Sequence, residues 1–275
     1  MAGDIAPSFV LLSQEGYLIR SLLTGGLNAL VASDPSEKGL YYSGFFQLSI
    51  GIERLLKVVL IVDHMRENSL TAPTAQELKG YGHDLVKLFN DACAMATGDA
   101  ATEAQDVARD PEGVRILTFL SRFAKQTRYH NLNELTAQTT LSDPLADWQS
   151  ILNDIYVLNV DAKRAVQKQE QARSLAEAIE EHVGVFGHDL TQQPLTLQSA
   201  IAQPFKNREA TAFAIWHIYR LLRALKNVLR GVTDEAHIVD HRIGGGIAHI
   251  PFLHEFLDFL RIDDRKVVLK KRRWP

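Results

Sequence analysis

Cysteine is nearly missing from this 275-residue chain: Cys93 stands alone. A lone thiol excludes an intrachain disulfide and any zinc site built on thiolates. Such scarcity fits a reducing compartment, so a soluble, cytoplasmic protein is expected. Also missing is a basic segment ahead of an apolar run. Residues 1–7 contain no lysine or arginine and do not read as a signal peptide. No long apolar run is free of charge either. The most apolar stretch, 45–62, has the length to span a bilayer but carries Glu53, Arg54 and Lys57 at its centre. Each is expensive in lipid, so a buried core helix is expected and no membrane partner. Excess charge of one sign is lacking as well, with a net charge of −3 and a pI of ≈ 6.4. That does not suggest a general nucleic-acid coat protein and leaves room for a local basic patch.

What is present is a composition of 46% apolar and 23% charged residues, enough to bury a real core. Strand-like alternation is almost absent and the apolar spacing is helical, which predicts an all-α fold: an up-down multi-helix bundle with long central helices and a short irregular C-terminal segment. The first helix spans 8–31, weakened by Gly25 and Gly26. A second, apolar on most sides, spans about 37–66, with Ser49, Glu53 and Lys57 forming one polar stripe at i, i+4, i+8. A connection containing Pro73 and one short helical turn leads to Gly80-Tyr81-Gly82, and a helix from Leu85 to about Ala96 comes next. Residues 97–110 are small, polar and acidic and read as a loop or a mobile segment. Pro111 opens another helix that ends near Arg128-Tyr129-His130-Asn131. Asp143-Pro144 marks an N-cap and first helical position, from which the longest helix is predicted to run to about His182. A further helix covers 207–230. Gly231 and Gly244-Gly245-Gly246 bracket an irregular segment, Pro251 opens a short helix to Leu260, and 266–269 reads as a lone strand. No linker marks a domain boundary. Two halves, 1–140 and 141–275, are expected to pack together, or to form one domain. The tetrad Gly82-His83-Asp84-Leu85 recurs as Gly187-His188-Asp189-Leu190, but the flanks do not align, so a local turn explains it better than duplication.

Chemistry-bearing residues cluster in a few places. Glu53 and Lys57 stand in the favourable Glu-before-Lys order across one helical turn. They form either a salt bridge on the polar stripe or, with Asp84, the lining of a polar groove. Asp84 suits a helix N-terminus as a cap, and His83 beside it is a candidate acid–base group. Arg122, Lys125 and Arg128 fall at i, i+3, i+6, so one helix face would carry three cations able to clamp phosphates. Tyr129 would supply a stacking surface, Asn131 a polar contact and His130 a proton donor or acceptor. The alternative is a solvated basic face with Tyr129 in the core. His237, His241, His249 and His254 have spacing that can hold zinc, but no acidic residue occupies the usual general-base position within His237–His241. The glycine run 244–246 lacks a phosphate-loop lysine. No metal and no cofactor are assigned. Lys270, Lys271, Arg272 and Arg273 precede Trp274 as either a solvated tail or a phosphate-contacting one.

Taken together, Gly51-Ile52-Glu53-Arg54-Leu55-Leu56-Lys57 on an apolar helix, Gly82-His83-Asp84-Leu85 opening the next, and Arg128-Tyr129-His130-Asn131 later resemble the HEPN superfamily. The resemblance covers roughly 42–133, about a third of the chain. It implies a compact all-α bundle, a homo-oligomer, and in many members a metal-independent RNase of prokaryotic defence or toxin–antitoxin systems. Other members are inactive and bind nucleotides or partners. In the enzyme reading Arg128 or Arg122 would stabilise the pentacoordinate phosphate during transfer to the neighbouring 2′-hydroxyl, and His130 or His83 would move protons. The family's catalytic arginine and histidine are separated by four to six residues, whereas Arg122 and His130 have seven between them. Arg230 with His237 and Arg242 with His249 match that spacing, the second pair across three glycines. Two non-enzymatic readings stand beside this one. The first is a helical module binding RNA or a partner protein, and the second is a structural homo-oligomer subunit.

Overall fold

The computed structural model describes residues 5–138 and 142–275. The expected division between 140 and 141 and the first four residues of the N-terminal segment lie outside them. Among the described residues there are eleven α-helices, one π turn, one 3-10 segment and no strand beyond two isolated bridges. No helix among them is long and apolar enough to cross a membrane.

Helices α1 (Pro7–Ala32) and α2 (Lys38–Glu67) pack along each other and supply the centre of the core. Leu23, Leu27 and Leu30 of α1 meet Phe45, Leu48, Ile52 and Leu55 of α2, all buried. Glycine makes that approach possible. A Cβ on Gly26 would stand 2.7 Å from Leu48 Cγ and 3.0 Å from its backbone nitrogen. The residues expected to weaken α1 are therefore what lets α2 lie against it. After α3 (Ala75–Gly80), Gly82 adopts a positive φ of 72° and Asp84 caps α4 (Leu85–Cys93), accepting from the Val86 and Lys87 amides. Gly187 in the second tetrad is not left-handed. Its Asp189 instead closes a loop through the amides of Thr191 and Gln193, so the two copies are different structures.

Residues 97–110 are a helix, α5 (Gly98–Ala108), contrary to expectation. Ala104 and Val107 sit one turn apart on its buried side, and Glu103 accepts from Arg223 at 2.7 Å, docking the helix on the longest one. Helix α6 (Pro111–Arg122) passes into a π turn, Phe123–Thr127, before α7 (His130–Leu135). The helix expected to run from 144 to 182 is two: α8 (Pro144–Asn159), capped by Asp143, and α9 (Ala162–Ile179), capped by Asp161. Between them Val160 is extended, and the Asp161 carboxylate accepts from the Arg164 amide, starting a new helix where periodicity alone continued the old.

The longest helix is instead α10 (Leu197–Ile243), 47 residues and about 70 Å at 1.5 Å per residue. It passes through Pro204 and Gly231 without stopping. It packs on α2, α4, α5, α6, α8 and α9, so helices from both halves of the sequence share one apolar core. Beyond it come the 3-10 segment Leu253–Leu260 and α11 (Arg265–Lys270), a helix rather than the expected strand, capped by Asp264 and holding Val268 in the core. The chain end is pinned. Trp274 is 1% exposed, packs near Tyr219 and Phe259, and its amide donates to Asn28 Oδ1 at 2.7 Å while Asn28 Nδ2 donates back to its carbonyl.

Candidate functional site

The polar stripe of α2 meets the turn before α4. Lys57 Nζ donates to Glu53 Oε1 at 2.7 Å, and His83 Nδ1 lies 2.9 Å from the same oxygen. Burial alone would push the Glu53 carboxyl up, but the hydrogen bonds from Lys57 and His83 hold it below the usual value. One residue on, Asp84 accepts from Lys125 Nζ at 2.6 Å, and this bond, with the helix amides, holds its carboxyl low. Ser121 accepts from the Leu85 amide, so α6 is fastened to the start of α4. The resulting cleft is lined by Asp84, Lys87, Asn90, Asp91, Arg122 and Lys125 among others. Arg122 is bound to Asp147 of α8, which also accepts from Ser142.

The structure thus brings together Glu53, Lys57 and His83, and beside them Asp84, Lys125 and Arg122. It does not bring Arg128, Tyr129, His130 or Asn131 into that cleft. The reason is the π turn. Its Arg128 N–H bonds to the Phe123 carbonyl five residues back, and the wider turn rotates the chain beyond it, so Arg122, Lys125 and Arg128 do not continue one α-helical face. The Arg128 guanidinium lies 5.0 Å over the exposed Tyr129 ring. His130 is buried, with no partner for Nδ1 among the described residues. Asn131 Oδ1 accepts from Tyr42. Each cation lining the cleft, Lys87, Arg122 and Lys125, is matched to a carboxylate.

Of the family-spaced pairs, Arg230 and His237 share one face of α10 two turns apart. Arg230 faces Asp234 at 3.7 Å, and His237 Nε2 is 2.9 Å from the Ile250 carbonyl. His249 Nδ1 lies 2.8 Å from Asp240 Oδ1 at the far side of the glycine turn. His237 and His249 thus have separate partners, and the four C-terminal histidines form no metal-type set among the described residues. Among the described residues the one converging metal-type set is Asp110, Glu112 and His217. Its Asp110 oxygen already contacts His217 Nδ1 at 2.7 Å and Arg220 at 2.9 Å, so an internal cation occupies the place of an ion.

At the other end of the sequence the arrangement is reversed. Lys270, Lys271, Arg272 and Arg273 have no carboxylate partner among the described residues. Lys271 lies 5.2 Å over the Trp274 ring and shares a small crevice with Arg272 and Arg208. The tail is held to the body by Trp274 rather than freely solvated. Arg208 also belongs to this surface, and no sequence pattern marks it. It sits 62 residues before Lys270, and only the fold of α10 against α11 joins them. Comparisons with known protein families, curated proteins and solved structures found no match.

Proposed function

We propose that this chain is a HEPN-like helical module that binds RNA without cleaving it, using the pinned C-terminal cations rather than the cleft by α4. The observation that carries this reading is the contrast in pairing. Cations lining the cleft are neutralised by Asp84, Asp91 and Asp147, whereas Lys270, Lys271, Arg272, Arg273 and Arg208 are free of carboxylates among the described residues. A cation already bound to a carboxylate gains little from a phosphate, while unpaired surface cations release counterions when they meet one.

Catalysis by transfer to a 2′-hydroxyl needs an arginine and a free imidazole on one phosphate. His130 is buried, His83 is held by Glu53, and Arg122 is held by Asp147. The second reading, a metal-independent RNase, requires Arg230 and His237, which share a helix face, to leave Asp234 and the Ile250 carbonyl. Incubating the full chain with a fluorescent single-stranded RNA, with and without chelator, separates the two. Binding with intact RNA, weakened in a K270Q/R272Q/R273Q variant, is the expected result. Cleavage that persists in chelator and disappears in His237→Ala overturns it.

A further inference from the structure

A second surface feature shares no lining residue with the proposed RNA-binding end. It is a groove of ≈ 740 Å³ between α8 and α9 on one side and the first turns of α10 on the other. That size falls within the range of pockets for small organic ligands. Its walls are mixed: apolar Val157, Ala172, Leu175, Ile201 and Phe205 stand beside Gln169, Gln198, Ser199 and Gln203, and Val157 and Leu175 are 77% and 50% exposed. Two cations, Lys168 and Lys206, stand among these residues, and no aspartate or glutamate lines the groove.

The lysines are held over rings rather than by acids. Lys206 Nζ lies 5.6 Å from the Tyr156 ring centre, and Lys168 Nζ lies 5.3 Å from that of Phe205. Lys168 also donates to the neutral Gln171 side chain. Among the described residues no carboxylate pairs with either lysine. The neighbouring acids are engaged: Glu209 accepts from Arg164 at 2.8 Å, and Asp189 accepts from Thr191 and the Gln193 amide. Gln203, also in the lining, keeps a buried Oε1 with no donor among the described residues. A half-buried ammonium in a partly apolar groove without a counter-charge is an incomplete arrangement.

We propose that this groove binds a small organic carboxylate with an extended apolar body, its head on Lys206 and Lys168 and its body along Val157, Ala172 and Leu175. Burial pulls the Lys206 ammonium below the usual lysine value, and the charge of an anion beside it would oppose that effect. Pro204 lies two residues before Lys206 and has no N–H to donate, so the helical ladder is interrupted beside the groove.

The test is calorimetric titration of the full chain with laurate, dodecanol and dodecyltrimethylammonium. Saturable one-to-one binding of laurate is expected, at least tenfold tighter than the other two. Lys206→Met is expected to weaken laurate at least tenfold, and Lys206→Arg to keep it within a fewfold. Since Lys206→Met removes a desolvated charge, its urea midpoint should not fall. Ala172→Phe, which fills the groove, gives an independent loss of binding. K270Q/R272Q/R273Q should leave laurate affinity unchanged, separating this site from the RNA surface. Equal binding of laurate and dodecanol, or an unaffected Lys206→Met, overturns the proposal.

Discussion

Asp110 sits where the sequence reads as the end of an acidic loop, yet its carboxylate is buried between His217 and Arg220. Burial opposes its charge, but the hydrogen bond from His217 and the charges of His217 and Arg220 hold its pKa below the ordinary 3.8. A carboxyl depressed in the folded state contributes stability that is full above its unfolded value and lost as pH falls through the folded one. Unfolding free energy should therefore drop below about pH 4 in the wild type, and Asp110→Asn should lack that part of the drop. The same substitution should cost about 2–3 kcal/mol at neutral pH by urea denaturation, because it leaves Arg220 and His217 facing a neutral amide. Cys93 offers a second check. Burial pushes its thiol from 9.0 up to about 11, so disulfide-exchange labelling at pH 8 should be roughly 100-fold slower in native protein than in urea. Equal rates would contradict that environment. Glu53 with Lys57 could be read from sequence because helical spacing makes them neighbours. Asp110 with His217 could not, since 107 positions separate them and only packing of α6 on α10 joins them.

At the scale of elements, glycines that look alike in sequence act in opposite ways. Gly26 lies against Leu48, so Gly26→Val should destabilise by about 2–3 kcal/mol through overpacking. Gly231 lies within α10 with nothing within 4 Å of a built Cβ, so Gly231→Ala should stabilise by about 0.5–1 kcal/mol. Chemical denaturation of the two variants checks both signs, and a stabilising Gly26→Val would contradict the close α1–α2 contact. Helices announced by strong periodicity or by Asp-Pro were legible, as α1, α2 and α8 are. Those decided by a cap or by a single buried residue were not. Asp161 restarts the chain as α9, Asp264 turns 265–270 into a helix, and Ala104 with Val107 gives α5 its face. The π turn is the element with the largest effect on the candidate site. One i→i+5 bond redirects Arg128 away from Lys125, and i, i+3, i+6 spacing cannot reveal it.

For the molecule as a whole, Trp274 converts a basic tail into a surface. Its ring is buried against Tyr219 and Phe259, so Trp274→Ala should lower stability by about 3 kcal/mol and weaken RNA binding although it removes no charge. The cation run 270–273 was visible in the sequence. Its attachment to α1 through Asn28, and the presence of Arg208 beside it, were not, because both are tertiary contacts. The central claim is that free cations at this end, and no charge in the cleft by α4, hold RNA. The slope of log affinity against log salt for a single-stranded RNA tests it most directly, since each phosphate contact contributes about 0.7 to that slope. Replacing Lys270, Arg272 and Arg273 by glutamine should reduce the slope by about 2 and weaken binding. A slope and affinity unchanged from wild type would contradict the account.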